Sequence, residues 1–340
     1  MPKLPICWLI SNLRSNKLEE VLSTQLASTR LRAGVSLRAF MSAGFDIHQI
    51  NGSPTEPVIL FVGKFVFDSF SGKYIEDGGV RQKIWLEKIK RNRLLGGINV
   101  VDYSDHHFVT NSLAGEFYRG ILDYIDVMIV PSRLMEKNAR SFGTFPIYLI
   151  PEPLEISNQP ISEASQYDPN KASALWFGHN SNLKYLFHYL LTPQSRPLPK
   201  HLHILTNNIE REPFESLMKS LPGNFNISVS EWSLKKMVDT SKLCNYIVIP
   251  SDSADPRKNG SSPGRLVTAF ALGRPVVATM LDSYIEFERL FLEIGSEAAS
   301  RFLAGAPYPS HVMQEAQREV SEIYSMSSVA QRWISLIKSA

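Results

Sequence analysis

The segment SDSADPRKNGSSPGRLVTAFALGRPVVAT (251–279) holds the densest set of residues suited to binding an anion. An apolar run ends at Pro250, and the loop after it carries Arg257 and Lys258. Ser262 has the side chain of an N-cap, and Pro263 suits the first helical position. A helix then runs through Leu272, and Gly273 closes it. Unbonded N–H groups at that helix start, with Lys258, Ser261, Ser262 and Arg265 close by, suit a phosphate. An ordinary capped helix with solvated basic residues would carry the same local pattern. A second segment, INVVDYSDHHF (98–108), places Asp102, Asp105, His106 and His107 at the end of an apolar run. Two aspartates and two histidines can ligate a metal or do general acid–base work. Adjacent histidines do not readily turn to one metal from strand or turn geometry, which argues against a metal site and for one histidine in a cleft. The simpler alternative is that Asp105 caps the next helix. In a third segment, TRLRAGVSLRAFMSAGFDI (29–47), Arg30, Arg32 and Arg38 share a helix. Such a basic face can meet an anionic acceptor or a membrane surface, although a solvated face is the favoured reading for Arg38.

These residues need a frame. Unbroken apolar runs recur along the chain: ICWLI (6–10), VILFV (58–62), INVVDY (98–103), DVMIVP (126–131), IYLIP (147–151), ALWFG (174–178), LHILT (202–206), ISV (227–229), YIVIP (246–250) and PVVAT (275–279). Short apolar runs without alternation are what strands buried on both faces look like. Helix-period stretches fall between them, at 18–43, 80–95, 111–124, 132–142, 181–191, 233–243, 262–272 and 312–338. Strand–helix alternation on this scale predicts α/β architecture with parallel sheets and right-handed crossovers. The stretch SNQPISEASQYDPNKAS (157–173) is poor in apolar residues and reads as a linker between two similar units.

Ligands of open α/β sheets bind beyond the carboxyl ends of the strands. In the first half those ends carry Ser11-Asn12, Gly63-Lys64, Asp102 to His107, Pro131-Ser132 and Pro151-Glu152. In the second half they carry Gly178 to Ser181, Thr206-Asn207, Glu231-Trp232, Pro250 to Asp252 and Thr279. Two such polar rims facing across a cleft would form one site.

The composition sets the outer bounds. A chain of 340 residues is long enough for about two domains with real cores. Basic residues number 36 and acidic ones 33, a balance that excludes a non-specific nucleic-acid binder. Charged residues at 20% and apolar ones at 44% exclude a disordered or coiled-coil chain. Cys7 and Cys244, far apart, exclude a disulfide scaffold and a multi-cysteine zinc site. No apolar stretch reaches the ~18 residues of a membrane span, and the apolar run in MPKLPICWLISNLRSN is too short for a signal peptide. A cytoplasmic protein is expected, with peripheral contact at the inner face of a membrane left open.

Four stretches together resemble the nucleotide-sugar glycosyltransferases of the GT-B fold, in particular the family 4-like group of retaining bacterial enzymes. They are STRLR with LRAFMSAGFDI; VVDYSDHHF; DVMIVPSRLMEKNARSFG with IYLIPEPLE; and WFGHNSNLKYL with SPGRLVTAFALGRPVVATMLDSYIEF. They run in the family's order over nearly the whole chain. The resemblance implies two Rossmann-like domains facing across a cleft: an acceptor-side domain over 1–155, a nucleotide-sugar domain over 170–315, and a terminal helix, 316–340, crossing back to the first. It implies a diphosphate near Lys258, Ser261, Ser262 and Arg265. Gly178, His179 and Asn180 would face the donor, Glu231 and Trp232 would lie by the nucleoside, and Tyr284 would sit in the turn of the final donor motif. Asp105 with His106 or His107 would stand near the reacting carbon. No metal or other cofactor is implied, and the acceptor would be a glycan, a lipid-linked molecule or a protein. Many members carry two glutamates that, counted back from Gly273, fall here on Gly260 and Thr268. Neither is acidic, so the family's glutamate roles do not carry over. Two other readings follow from that departure and from the fold: an inactive nucleotide-sugar-binding or partner protein, and a sugar-nucleotide epimerase. The epimerase needs several acid–base carboxylates, for which only Asp102, Asp105, Glu152 and Glu286 are available.

Overall fold

Each unbroken apolar run becomes a parallel strand, because a strand covered on both faces by helices has no polar side to display. The structure, a computed structural model, describes residues 4–11, 13, 15–24, 26–65, 78–161, 168–192, 198–209, 211–221, 225–255 and 262–339. Its contacts divide the chain into two units. One comprises Met1–Pro153 and Met326–Ala340, with Gly260–Ser262 grouped with it; the other comprises Leu154–Asn259 and Pro263–Ser325.

The first unit is built on β1 (Ile6–Leu9), β2 (Ile47–Ile50), β3 (Ile59–Val62), β4 (Ile98–Asp102), β5 (Val127–Val130) and β6 (Ile147–Leu149), all parallel, in the order β2-β1-β3-β4-β5-β6. The second holds β7 (Ser173–Phe177), β8 (His201–Thr206), β9 (Asn226–Glu231), β10 (Tyr246–Ile249), β11 (Val276–Ala278) and β12 (Leu292–Glu293). These are also parallel, in the order β12-β11-β10-β7-β8-β9. Counted from its own first strand, the second sheet has the doubly wound order 3-2-1-4-5-6. The winding reverses between β1 and β3 in the first sheet and between β7 and β10 in the second. Those two gaps are where a doubly wound sheet opens to a ligand.

Each sheet has an apolar layer on both faces. In the first unit Trp8, Phe40, Phe61 and Trp333 form an aromatic cluster, with Trp8 stacked on Phe61 at 4.5 Å between centroids. Trp333 brings the last helix, Met326–Ser339, into that core. Side chains of Ser112, Ser132, Ser233 and Ser296 cap helix starts, each accepting from the N–H three residues on.

Several expected elements differ. The helix read over 18–43 is three pieces: Leu18–Ser23, a π-helical turn at Thr29–Gly34, and Val35–Ser42. The π turn carries Arg32 into the interior. The terminal helix breaks at Ser325, whose ψ of 149° is extended, giving Ser310–Tyr324 and Met326–Ser339. The segment grouped with the first unit therefore starts at Met326, and the residues from 316 to Ser325 belong to the second unit. Ser262 does not cap its helix, which starts at Gly264 with Pro263 in the cap position and no side-chain cap bond. Strand β2 has no unbroken apolar run, because His48 and Gln49, in its middle, face solvent at a sheet edge.

Candidate functional site

At the β1/β3 reversal of the first unit, a narrow pocket is lined by Trp8, Ser11, Thr29, Arg32, Lys64 and Asp102, among others. Asp102 closes β4, and its carboxylate is gripped by Arg32: Nε donates to both oxygens at 3.1 Å and Nη2 donates to Oδ1. Arg32 Nη1 donates to the Ile150 carbonyl beyond β6. The pair is fully interior, at 3% and 1% exposure. Beside it, Lys64 forms an ion pair with Asp105. Burial pushes the Asp105 carboxyl up, but Lys64 and His107 outweigh it and hold the group well below the usual carboxylate range. Burial pushes Lys64 down, and Asp105 with Glu152 and Asp102 more than restores it. Burial raises Glu152 despite the nearby Arg32.

The two histidines have separate surroundings. The buried Tyr103 hydroxyl accepts from the N–H groups of His107 (2.7 Å) and Phe108 (2.9 Å), which sets the turn after β4. His106 is buried with Nδ1 3.3 Å from that same hydroxyl, and burial together with His107 lowers its pKa. Both effects favour its neutral imidazole form. His107 stacks on Tyr118 at 5.5 Å, and its Nε2 lies 3.8 Å from Asp105 Oδ2. Nε2 is buried with no hydrogen-bond partner.

At the β7/β10 reversal of the second unit, Gly178 follows β7. A Cβ there would come within 3.3 Å of both Arg265 Nη1 and the Trp176 ring. A side chain there would force the guanidinium or the ring to shift by a few tenths of an ångström. Arg265 Nη1 is buried without a partner, as is Ser251 Oγ at the end of β10. Tyr284 is buried beside Arg265, its hydroxyl raised by burial and pulled back by that cation. One and two strands further out, Asn207 Oδ1 accepts from the Asn180 N–H at 3.1 Å and the Trp232 N–H donates to Thr206 O at 2.9 Å. Those bonds knit together the turns after β7, β8 and β9.

No family model matches the chain, and no curated protein matches it. Solved structures do. The sucrose-phosphate synthase of Thermosynechococcus elongatus is 13% identical with a TM-score of 0.58, covering 99% of this chain and 98% of that one. The lipopolysaccharide outer core galactosyltransferase WaaB is 12% identical with a TM-score of 0.58, covering 99% of each. A variant of S. aureus TarM in complex with UDP is 12% identical with a TM-score of 0.53, covering 82% of this chain; the chain spans about half of its length, 55%. At such identities the likeness is one of fold. The chain has the GT-B fold.

In this GT-B chain Asp105 and His107 stand together and are joined by Lys64, Arg32 and Asp102. Asp105 does not cap the following helix; Ser112 does. Arg38 is exposed, and its Nη2 donates to the Leu22 carbonyl. Gly178, Arg265 and Tyr284 also stand together. His179 accepts from the Ser181 N–H at 3.2 Å and shapes its own turn. Glu231 is exposed at the end of β9, while Trp232 lies partly against the core. Lys258 and Ser261 lie outside the described residues. Among the described residues, no three His, Cys, Asp or Glu side chains could hold one metal, and no helix is long and apolar enough to cross a membrane.

Proposed function

We propose that the protein is a hexosyltransferase-class glycosyltransferase that moves a sugar from a nucleotide diphosphate sugar to a hydroxyl of a glycan, lipid-linked or protein acceptor. The observation that carries this reading is the unpartnered Arg265 guanidinium over Gly178, at the point where the second sheet reverses. As the glycosidic bond breaks, negative charge grows on the leaving diphosphate. A guanidinium already in place, without a carboxylate to satisfy, stabilises that charge without reorganisation. Lys258 and the helix start near Ser261 and Ser262 are assigned to the same diphosphate, so the reaction needs no metal. The UDP bound to the TarM variant is in keeping with a nucleotide donor.

On the acceptor side, Asp105 stays ionised beside Lys64 and is assigned to orient the acceptor or offset positive charge on the sugar. His107, whose Nε2 is unsatisfied, is assigned to the acceptor hydroxyl, with the neutral His106 behind it. Retention of configuration comes from the family resemblance. A thermal-shift screen of UDP-, GDP-, ADP- and dTDP-sugars tests the reading, because a donor that binds the native state raises its melting temperature. One donor should stabilise the protein, and Arg265→Ala should remove that effect. If no donor shifts the wild type, the reading fails.

One observation favours a non-catalytic binder: Thr268 stands where many members of the resembled family carry a glutamate, and its hydroxyl is turned to the Gly264 carbonyl of its own helix at 2.8 Å. Nucleotide release on adding acceptor separates transferase from binder.

A further inference from the structure

The helix Gly78–Leu94 of the first unit carries Arg81, Lys83, Lys88, Lys90, Arg91 and Arg93 against the single acid Glu87. That is 6 − 1 = +5 on one helix, in a chain whose total is +3. Three of these cations have partners in the protein: Arg93 pairs with Asp126 at 2.8 Å, Lys90 with Glu87 at 3.7 Å, and Lys88 donates to the Asn51 carbonyl at 2.6 Å.

Its apolar residues are split between two faces. Trp85 and Ile89 are buried and, with the interior Asn92, fix the inward side. The outward side holds Val80, Ile84 and Leu94, at 54%, 47% and 88% exposure. At 3.6 residues per turn, Val80, Ile84, Glu87, Arg91 and Leu94 fall within about 80° of one another, along roughly 20 Å of helix. Lys83 and Lys90 flank the stripe on one side and Lys88 on the other. No carboxylate among the described residues lies within ion-pairing distance of Lys83 or Arg91. Single exposed aliphatics are ordinary; three aligned on a helix at net +5 are not what a merely solvated face needs.

We infer that this outward stripe docks the protein on an anionic lipid surface, with Val80, Ile84 and Leu94 entering the headgroup boundary and Lys83 and Arg91 pairing with lipid phosphates. Aliphatic side chains between cations match a bilayer surface, where both partners exist at one depth. A nucleic-acid backbone would reward the cations and leave the aliphatics in water. The inference stands on this helix alone, apart from any assignment at the two sheet reversals.

The test is co-sedimentation of the full chain with vesicles of phosphatidylcholine alone and of equal phosphatidylcholine and phosphatidylglycerol. Binding is expected only to the anionic vesicles and should weaken with salt. Each basic side chain near such a surface contributes about fivefold to partitioning, so Lys83→Ala/Arg91→Ala should lower it about 30-fold. Val80→Ser/Ile84→Ser/Leu94→Ser should also lower it while keeping the far-UV circular dichroism, since all three positions are exposed. Failure to bind anionic vesicles overturns the inference, as does equal binding by either variant and wild type. Duplex DNA bound as tightly as the vesicles, with the serine variant unaffected in both, would instead mark a polyanion site.

Discussion

Replacing Arg32 with Met tests whether the buried pair beside Lys64 and Asp105 holds the first unit together. Arg32 and Asp102 are 3% and 1% exposed, and the carboxylate takes its charge-assisted bonds from this one guanidinium. The guanidinium also lies 5.2 Å from the ring centre of Trp333, so it touches the last helix as well as β4. Arg32→Met keeps most of the side-chain volume but leaves an uncompensated buried carboxylate. Breaking such a pair from one side costs about 3–5 kcal/mol, a large share of a typical domain stability of about 5–15 kcal/mol. For a unit of this size each kcal/mol moves Tm by about 2–4 °C, so a fall of about 10 °C is expected. Differential scanning calorimetry of wild type, Arg32→Met, Asp102→Asn and the double variant completes a cycle. The double variant removes both charges and should be more stable than Arg32→Met, with a coupling of at least ~2 kcal/mol. A shift below about 2 °C for Arg32→Met, or plain additivity in the cycle, would refute the reasoning.

Three further outcomes follow from particular contacts. Tyr103→Phe removes the acceptor of two N–H groups in the turn bearing His106 and His107; about 2 kcal/mol should be lost, read as a lower urea midpoint. His203 stacks on His201 at 4.1 Å, and burial together with that neighbour lowers its pKa. The folded state therefore favours the neutral ring, so stability is intact above the ordinary imidazole value of about 6.5 and falls as pH drops from there through the lowered value. His203→Gln should flatten that part of the urea-midpoint profile, and an unchanged slope would discount the pair. Gly178→Ala presses a methyl against Arg265, since the buried Trp176 cannot yield. Donor affinity in the thermal-shift assay should drop about tenfold, with the unliganded Tm nearly unchanged.

Much of the frame was legible along the chain. Runs such as VILFV and YIVIP announce themselves because a parallel strand under two helix layers must be apolar on both sides. Strand β2 did not, since an edge strand can keep His48 and Gln49 in water. The break at Ser325 was equally silent: the helices on either side have the same periodicity, and the division appears only in which core each one enters. Among the candidate site residues, Gly178, Asp105 and His107 could be picked out by type and by position after strands, and Arg265 by its place in the first turn of a helix.

What those residues face was decided by tertiary structure. Arg32 is paired with an aspartate 70 positions away, and nothing in TRLRAGVSLR distinguishes the inward arginine from the exposed Arg38 six residues on. Lys64 and Asp105 meet because β3 and β4 are neighbours in the sheet. Gly178 and Arg265 meet because the order 3-2-1-4-5-6 sets β7 beside β10. Sequence alone determined that two parallel α/β units would form, because burial on both faces leaves a local signature. Strand order and inward orientation belong to contacts between distant segments, and those emerge only when the sheets are assembled.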